Sequence, residues 1–287
     1  MALLSLSGDE QRILFTQLCN VLDPGLAVAL SSASNELRTA TEALLQQLRA
    51  DHTEAAALCR KVGLRSCKEL REAKKVNRAN IGLSVADLTL LGTLGSVLPA
   101  LEVLHLREPA AGPEGVQRLA EGLGAGALPA VTWLRLSMHV GDAGASALAA
   151  ALGRGAMPQL KRLVLTNVGI TDAGLVALAP ALRRLPALEH LKLNYNPLGD
   201  EGLAALVAPS PPAGAPPPTG GLAKLKLLNL GYTKVADAGC AALAAALDSG
   251  ALPALDKFAM YVIPASAAAI AAVQEVLLSL GIGHRVV

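Results

Sequence analysis

Between residues 101 and 260 one spacing of apolar positions recurs six times. Leu101-x-x-Leu104-x-Leu106 is followed by Val131-x-x-Leu134-x-Leu136, Leu160-x-x-Leu163-x-Leu165, Leu188-x-x-Leu191-x-Leu193, Leu225-x-x-Leu228-x-Leu230 and a weaker Leu255-x-x-Phe258-x-Met260. Subtraction of the starting positions gives steps of 30, 29, 28, 37 and 30 residues. Alternation within each stretch predicts a short strand with its leucines facing inward and the residues between them facing outward. A second signature follows the first five strands: Gly112-Pro113-Glu114-Gly115, Gly141-Asp142-Ala143-Gly144, Thr171-Asp172-Ala173-Gly174, Gly199-Asp200-Glu201-Gly202 and Ala236-Asp237-Ala238-Gly239. An Asp in the second place is expected to cap the helix that follows by accepting from its first N–H groups, and Pro113 suits a helix start by its fixed φ. Helical patterns such as Leu175, Leu178 and Leu182 come next, and each is expected to end in a turn carrying Gly or Pro, as at Pro129, Pro158, Pro186 and Pro253.

One unit is therefore a strand, a loop, a helix and a turn back. Helices are wider than strands, so stacked units bend, with a parallel sheet on the concave face and helices on the convex face. The pattern resembles the ribonuclease-inhibitor-like class of leucine-rich repeats over roughly Leu83 to Leu280. That resemblance implies a right-handed α/β solenoid, or horseshoe, whose business is binding protein. It also implies an alternative, a regulator of an enzyme, as an inhibitor or a GTPase activator. The Asn, Cys or Thr usual at the ninth position stands at Asn196 and Thr233 but is replaced at Pro109, His139 and Val168, where less regular loops are expected.

The step of 37 carries a proline-rich insertion, 209–221, expected as an exposed loop. Ser84-Val85-Ala86-Asp87 reads as a capping box before a half-repeat that lacks a good strand. Ahead of it lies a helical start: Ile13-Leu14-Phe15 and Leu18, a break at Asp23-Pro24, then Leu26 and onward. This stretch resembles an F-box, which implies contact with a Skp-type adaptor through Ile13, Leu14, Leu18 and Leu26 and a role as substrate receptor of a ubiquitin ligase. Gly8 stands where that family commonly has Pro, and a plain helical cap is the competing reading. The organisation expected is thus an F-box-like module at 1–60, a connector and N-terminal capping half-repeat at 61–100, repeats at 101–263, and a C-terminal capping helix and tail at 264–287.

Composition narrows the function. Apolar residues make up 52% of the chain and aromatics 2%, as suits thin layers of Leu, Val and Ala. A net charge of +2 gives no field that argues for nucleic acid. The uncharged stretches at 202–223 and 258–274 are interrupted by proline or dominated by alanine, so no membrane span is expected. The expected state is a soluble monomer in the cytoplasm, with the nucleus as the alternative. The four cysteines lack metal-site spacing and the histidines lie far apart in sequence, so neither a catalytic constellation nor a cofactor is expected.

Four aromatics, Trp133, Tyr195, Tyr232 and Tyr261, fall on outward strand positions or in the loop just after, surrounded by Arg135, Arg162, His190, Lys192, Asn194 and Lys257. Trp and Tyr combine large contact area with a polar handle, as interface anchors require. Those ten residues form the expected protein-binding face, suited to an acidic or amphipathic partner.

Overall fold

Each of the six apolar stretches forms a parallel strand, and two further strands flank them. In the computed structural model, which describes residues 7–208 and 222–286, the strands are β1 (Lys75–Ala79), β2 (Val103–Arg107), β3 (Trp133–Leu136), β4 (Arg162–Val164), β5 (His190–Lys192), β6 (Leu227–Asn229), β7 (Lys257–Met260) and β8 (Gly283–Val286). They pair in chain order in one sheet, every neighbour parallel. The register aligns Leu104, Leu134, Leu163, Leu191, Leu228 and Phe258 in a single row, and each is buried. Two parallel rows, starting at Leu101 and Leu106, are buried as well. A fully buried Leu contributes about 1.5–3 kcal/mol, and no repeat could supply that burial alone.

The helices run between successive strands: α5 (Val85–Thr93), α6 (Gly112–Gly122), α7 (Gly141–Gly153), α8 (Asp172–Arg184), α9 (Asp200–Val207), α10 (Asp237–Asp248) and α11 (Ala267–Ser279). Consecutive helices pack against one another, so this part of the chain is an α/β solenoid with strands on one side and helices on the other. The remainder is helical: α1 (Gly8–Leu18), α2 (Gly25–Ser32), α3 (Asn35–Lys61) and α4 (Cys67–Glu72). The chain divides into two compact units, Met1–Ala73 with Val97–Ala100, and Lys74–Ser96 with Leu101–Val287. In the first, Phe15, Ala27 and Leu48 form a small buried cluster. The proline-rich insertion at 209–221 lies outside the described residues, as does the side chain of Leu18.

Three expectations need correction. The half-repeat does possess a strand, β1, paired residue for residue with β2. Its sequence, Lys-Val-Asn-Arg-Ala, hides it because only Val76 is a buried apolar residue. The C-terminal tail likewise ends in a strand, β8, on the far edge of the sheet. The third correction concerns the recurring aspartates. They occupy the first helical positions, and their carboxylates reach forward to the next repeat. Asp142 accepts from the N–H of Thr171 and Gly174, Asp172 from Gly199 and Gly202, Asp200 from Ala236, and Asp237 from Ser266. Each one satisfies N–H groups at the start of the following helix, so the cap is also a staple between repeats. Ser84 and Asp87 do form the capping box expected of them.

Irregularity at the ninth position is offset in different ways. Asn196, 1% exposed, accepts from the N–H of Val168 and Ile170 and donates to the carbonyls of Leu165 and Leu193, which ties two adjacent loops together. Where the first repeat has Pro109, the neighbouring Glu108 turns inward instead. Its carboxylate accepts from Ile81, Gly82 and Leu83 in the preceding loop.

Candidate functional site

Outward positions of the strands form three columns, running across the sheet from Val103, His105 and Arg107. Over β1–β7 and the residues that extend them, these columns hold six strong bases: Lys75, Arg107, Arg135, Arg162, Lys192 and Lys257. They hold neither Asp nor Glu, although the chain has 23 acidic residues. A net charge of +2 therefore conceals a segregated surface, and the field over the strand face is more positive than the total suggests.

The four aromatics form two clusters rather than one patch. In the first, Trp133 of β3 meets His105 of β2 edge to face, ring centroids 4.4 Å apart. Arg162, its register partner on β4, places its guanidinium carbon 5.4 Å from the indole centroid. This is cation–π distance. Arg135 stands beside His105 in register and donates from Nε to the Ser137 hydroxyl. Both Trp133 Nε1 and His105 Nε2 are buried atoms without a hydrogen-bond partner among the described residues. Leaving such a group unsatisfied costs about 1–3 kcal/mol, so two side by side require a reason.

The second cluster sits at the far end of β5–β7. Tyr195 and Tyr232 stack with centroids 4.2 Å apart, and Tyr261 meets Tyr232 edge-on at 5.3 Å. Tyr195 and Tyr232 remain 46% and 40% exposed. Both adopt left-handed backbone, φ 61° and 55°, which costs a bulky residue about 1–2 kcal/mol. The conformation is held by bonds continuing the ladder past the strands, Tyr195 N–H to Gly231 O and Tyr232 N–H to Tyr261 O. Gly231 is needed beneath them, because a Cβ there would lie 2.6 Å from the Tyr261 ring.

Local electrostatics follow from this packing. Burial, then the Arg135 charge, lowers the His105 pKa, and burial, then Arg162, lowers that of His190. Both histidines are thus held toward the neutral form. The hydrogen bond to Tyr232 raises the Tyr195 pKa.

Of the ten residues expected on this face, Arg135, Arg162 and Lys257 are exposed, while His190, Lys192 and Trp133 are half-buried on outward strand positions. Asn194 is different. It is 8% exposed, and its side-chain oxygen accepts from the Thr166 hydroxyl, so it supports the loop rather than offering contact. His105, seen in sequence only as an outward residue, belongs to the Trp133 cluster. The available signal was its register, one strand over and two residues along from Trp133. In the helical unit, Ile13 and Leu26 are 58% and 59% exposed and Leu14 is half-buried. Among the described residues no helix is long and apolar enough to cross a membrane, and no group of three or more His, Cys, Asp or Glu is placed to hold a metal ion.

Comparison with known proteins agrees with the repeat. A family model of the leucine-rich repeat matches residues 185–207 and 221–244. The chain is 33% identical over 111 residues to the ribonuclease inhibitor of Sus scrofa, covering 38% of this chain and 24% of that protein. It is 36% identical over 80 residues to the ribonuclease inhibitor of Mus musculus, covering 28% and 18%. The matched stretches thus span a quarter or less of either relative. The solenoid carries leucine-rich repeats, and over the matched stretches its sequence is similar to that of those inhibitors.

Proposed function

We propose that this chain acts by binding rather than by catalysis, and that its strand face grips an acidic segment of another protein. The observation that carries this reading is the absence of Asp and Glu from the three outward columns, beside six Lys or Arg. Complementary charge speeds encounter and selects partners, while the exposed tyrosines and Trp133 supply desolvated anchors. Stacking wide helices behind narrow strands curves such a face inward, which suits an extended or convex partner. The relatives' name makes enzyme inhibition the alternative. A ribonuclease needs positive charge to hold its polyanionic substrate, and this face would repel it. An enzyme regulated here would therefore be an acidic one.

Photo-crosslinking tests the reading. A benzoylphenylalanine at Tyr232 should trap partner in cells, and the adduct peptides should be rich in Asp and Glu. The same probe at Val176, exposed on α8, should trap none of it. Equal trapping from both faces would remove the strand face from the account.

A second reading concerns the helical unit. Ile13 and Leu26 stand exposed although their neighbours Phe15 and Ala27 are fully buried, as an F-box would need for a Skp-type adaptor. With that adaptor engaged, the strand face becomes the substrate receptor of a ubiquitin ligase. Full-length chain should then capture the adaptor, and Ile13→Asp with Leu26→Asp should abolish capture. No capture by the unaltered chain would reduce the helical unit to a structural element.

A further inference from the structure

We infer that the side-chain cluster of His105, Trp133 and Arg162 on the strand face is a carboxylate-binding site, the anchor for an Asp or Glu side chain of the acidic segment. The inference rests on the strand-face reading and deepens it by assigning the point of recognition. Three independent observations converge on β2–β4. First, Trp133 Nε1 and His105 Nε2 are buried and lack partners, so the site holds hydrogen-bonding capacity that the chain itself does not use. Indole Nε1 can only donate, and neutral imidazole donates from Nε2 in one of its tautomers. Second, these atoms sit beside Arg162 and Arg135, with no acidic residue in the outward columns to compete for those guanidinium groups. Third, the neighbouring outward positions are Val103 and Val164, which are half-buried and 9% exposed. They supply an apolar surround in which a charge-assisted hydrogen bond is stronger than in water.

The arrangement fits a carboxylate better than a neutral ligand. Two N–H donors and a guanidinium present only hydrogens, and a carboxylate is acceptor-only with two oxygens to share among them. A neutral amide would place its own N–H₂ against these donors. The edge-to-face contact between imidazole and indole restrains both rings, so little side-chain freedom is lost on binding.

Trp133 is the chain's only tryptophan, and it reports on the site directly. Full-length protein would be titrated with an acetylated, amidated peptide of eight glutamates while Trp133 emission is followed, with calorimetry in parallel. Expected is a saturable emission change with octaglutamate and none with octaglutamine. Arg162→Gln should weaken octaglutamate by about tenfold or more, and His105→Ala should weaken it severalfold, with far-UV circular dichroism unchanged. Calorimetric binding that leaves Trp133 emission unaltered and is indifferent to both variants would overturn this site while leaving the acidic-partner reading standing. No binding by either method would overturn both. Equal or tighter binding of an oligouridylate of the same charge would overturn the assignment to a protein carboxylate in favour of nucleic acid.

Discussion

Replacing Asn196 with Ala removes one side chain and unties two loops. The carboxamide makes four short hydrogen bonds: it accepts from Val168 N–H at 3.0 Å and Ile170 N–H at 3.2 Å, and donates to Leu165 O at 2.6 Å and Leu193 O at 2.8 Å. The residue is 1% exposed, so water reaches the abandoned groups only if the loops part. At the lower end of the penalty for a buried unsatisfied group, about 1 kcal/mol for each of the four, the loss is about 4 kcal/mol. For a unit of this size that corresponds to a fall in Tm of about 8–16 °C. Thr233 shows what a smaller side chain can do at the equivalent position: its hydroxyl donates to Leu230 O alone. Asn196→Thr should therefore keep one bond of the four and lose about 3 kcal/mol. Urea unfolding followed by far-UV circular dichroism measures both variants. A loss below about 1 kcal/mol for Asn196→Ala would refute the claim that this carboxamide links successive loops.

Other consequences follow from the same structure. Val262 is β-branched, 58% exposed and held at φ 54°, so Val262→Asn should stabilise by up to about 1 kcal/mol in urea denaturation, because Asn tolerates left-handed backbone. Gly231→Ala should force Tyr261 off its seat and diminish the near-UV dichroism of the tyrosine cluster; an unchanged spectrum would contradict the packing of Tyr261 on Gly231. Burial and the nearby Cys67 push the Cys59 thiol up to about 12, and burial pushes Cys240 up to about 11, so neither should react with iodoacetamide at pH 8 until the protein unfolds. His105 and His190 have folded pKa values below the ordinary 6.5, so the unfolded chain binds more protons in that window. Stability should accordingly fall as pH drops below 6.5, and His105→Gln should flatten the fall measured by urea midpoints between pH 7.5 and 5.

The repeats were legible because leucine alternation and helix starts recur together, and a recurring pattern is hard to produce by chance. The edge strands were not. In β1 Arg78 falls in register with Leu106, and in β8 His284 falls in register with Phe258, so each edge strand has one polar residue in a row that is otherwise apolar. Edge elements have a neighbour on one side only, which relaxes the demand for leucine. The aspartates recurred visibly, but a linear sequence favours the nearest helix as their target, and the forward staple depends on how repeats stack. Asn194 looked like a contact residue because alternation reports direction and not depth; the Thr166 hydroxyl, just past the end of the preceding strand, occupies it. His105 and Trp133 lie 28 residues apart, and only the parallel register brings their rings together.

The most direct test of the central claim is retention of partner by a charge-reversed strand face. Arg162→Glu with Lys192→Glu changes two outward columns, whereas Arg184→Glu with Lys224→Glu makes the same change in net charge at exposed residues outside those columns. Partner co-purified with the unaltered chain should be lost from the first variant at physiological salt and kept by the second. Loss from both, or retention by the first, would contradict binding of an acidic segment by the strand face.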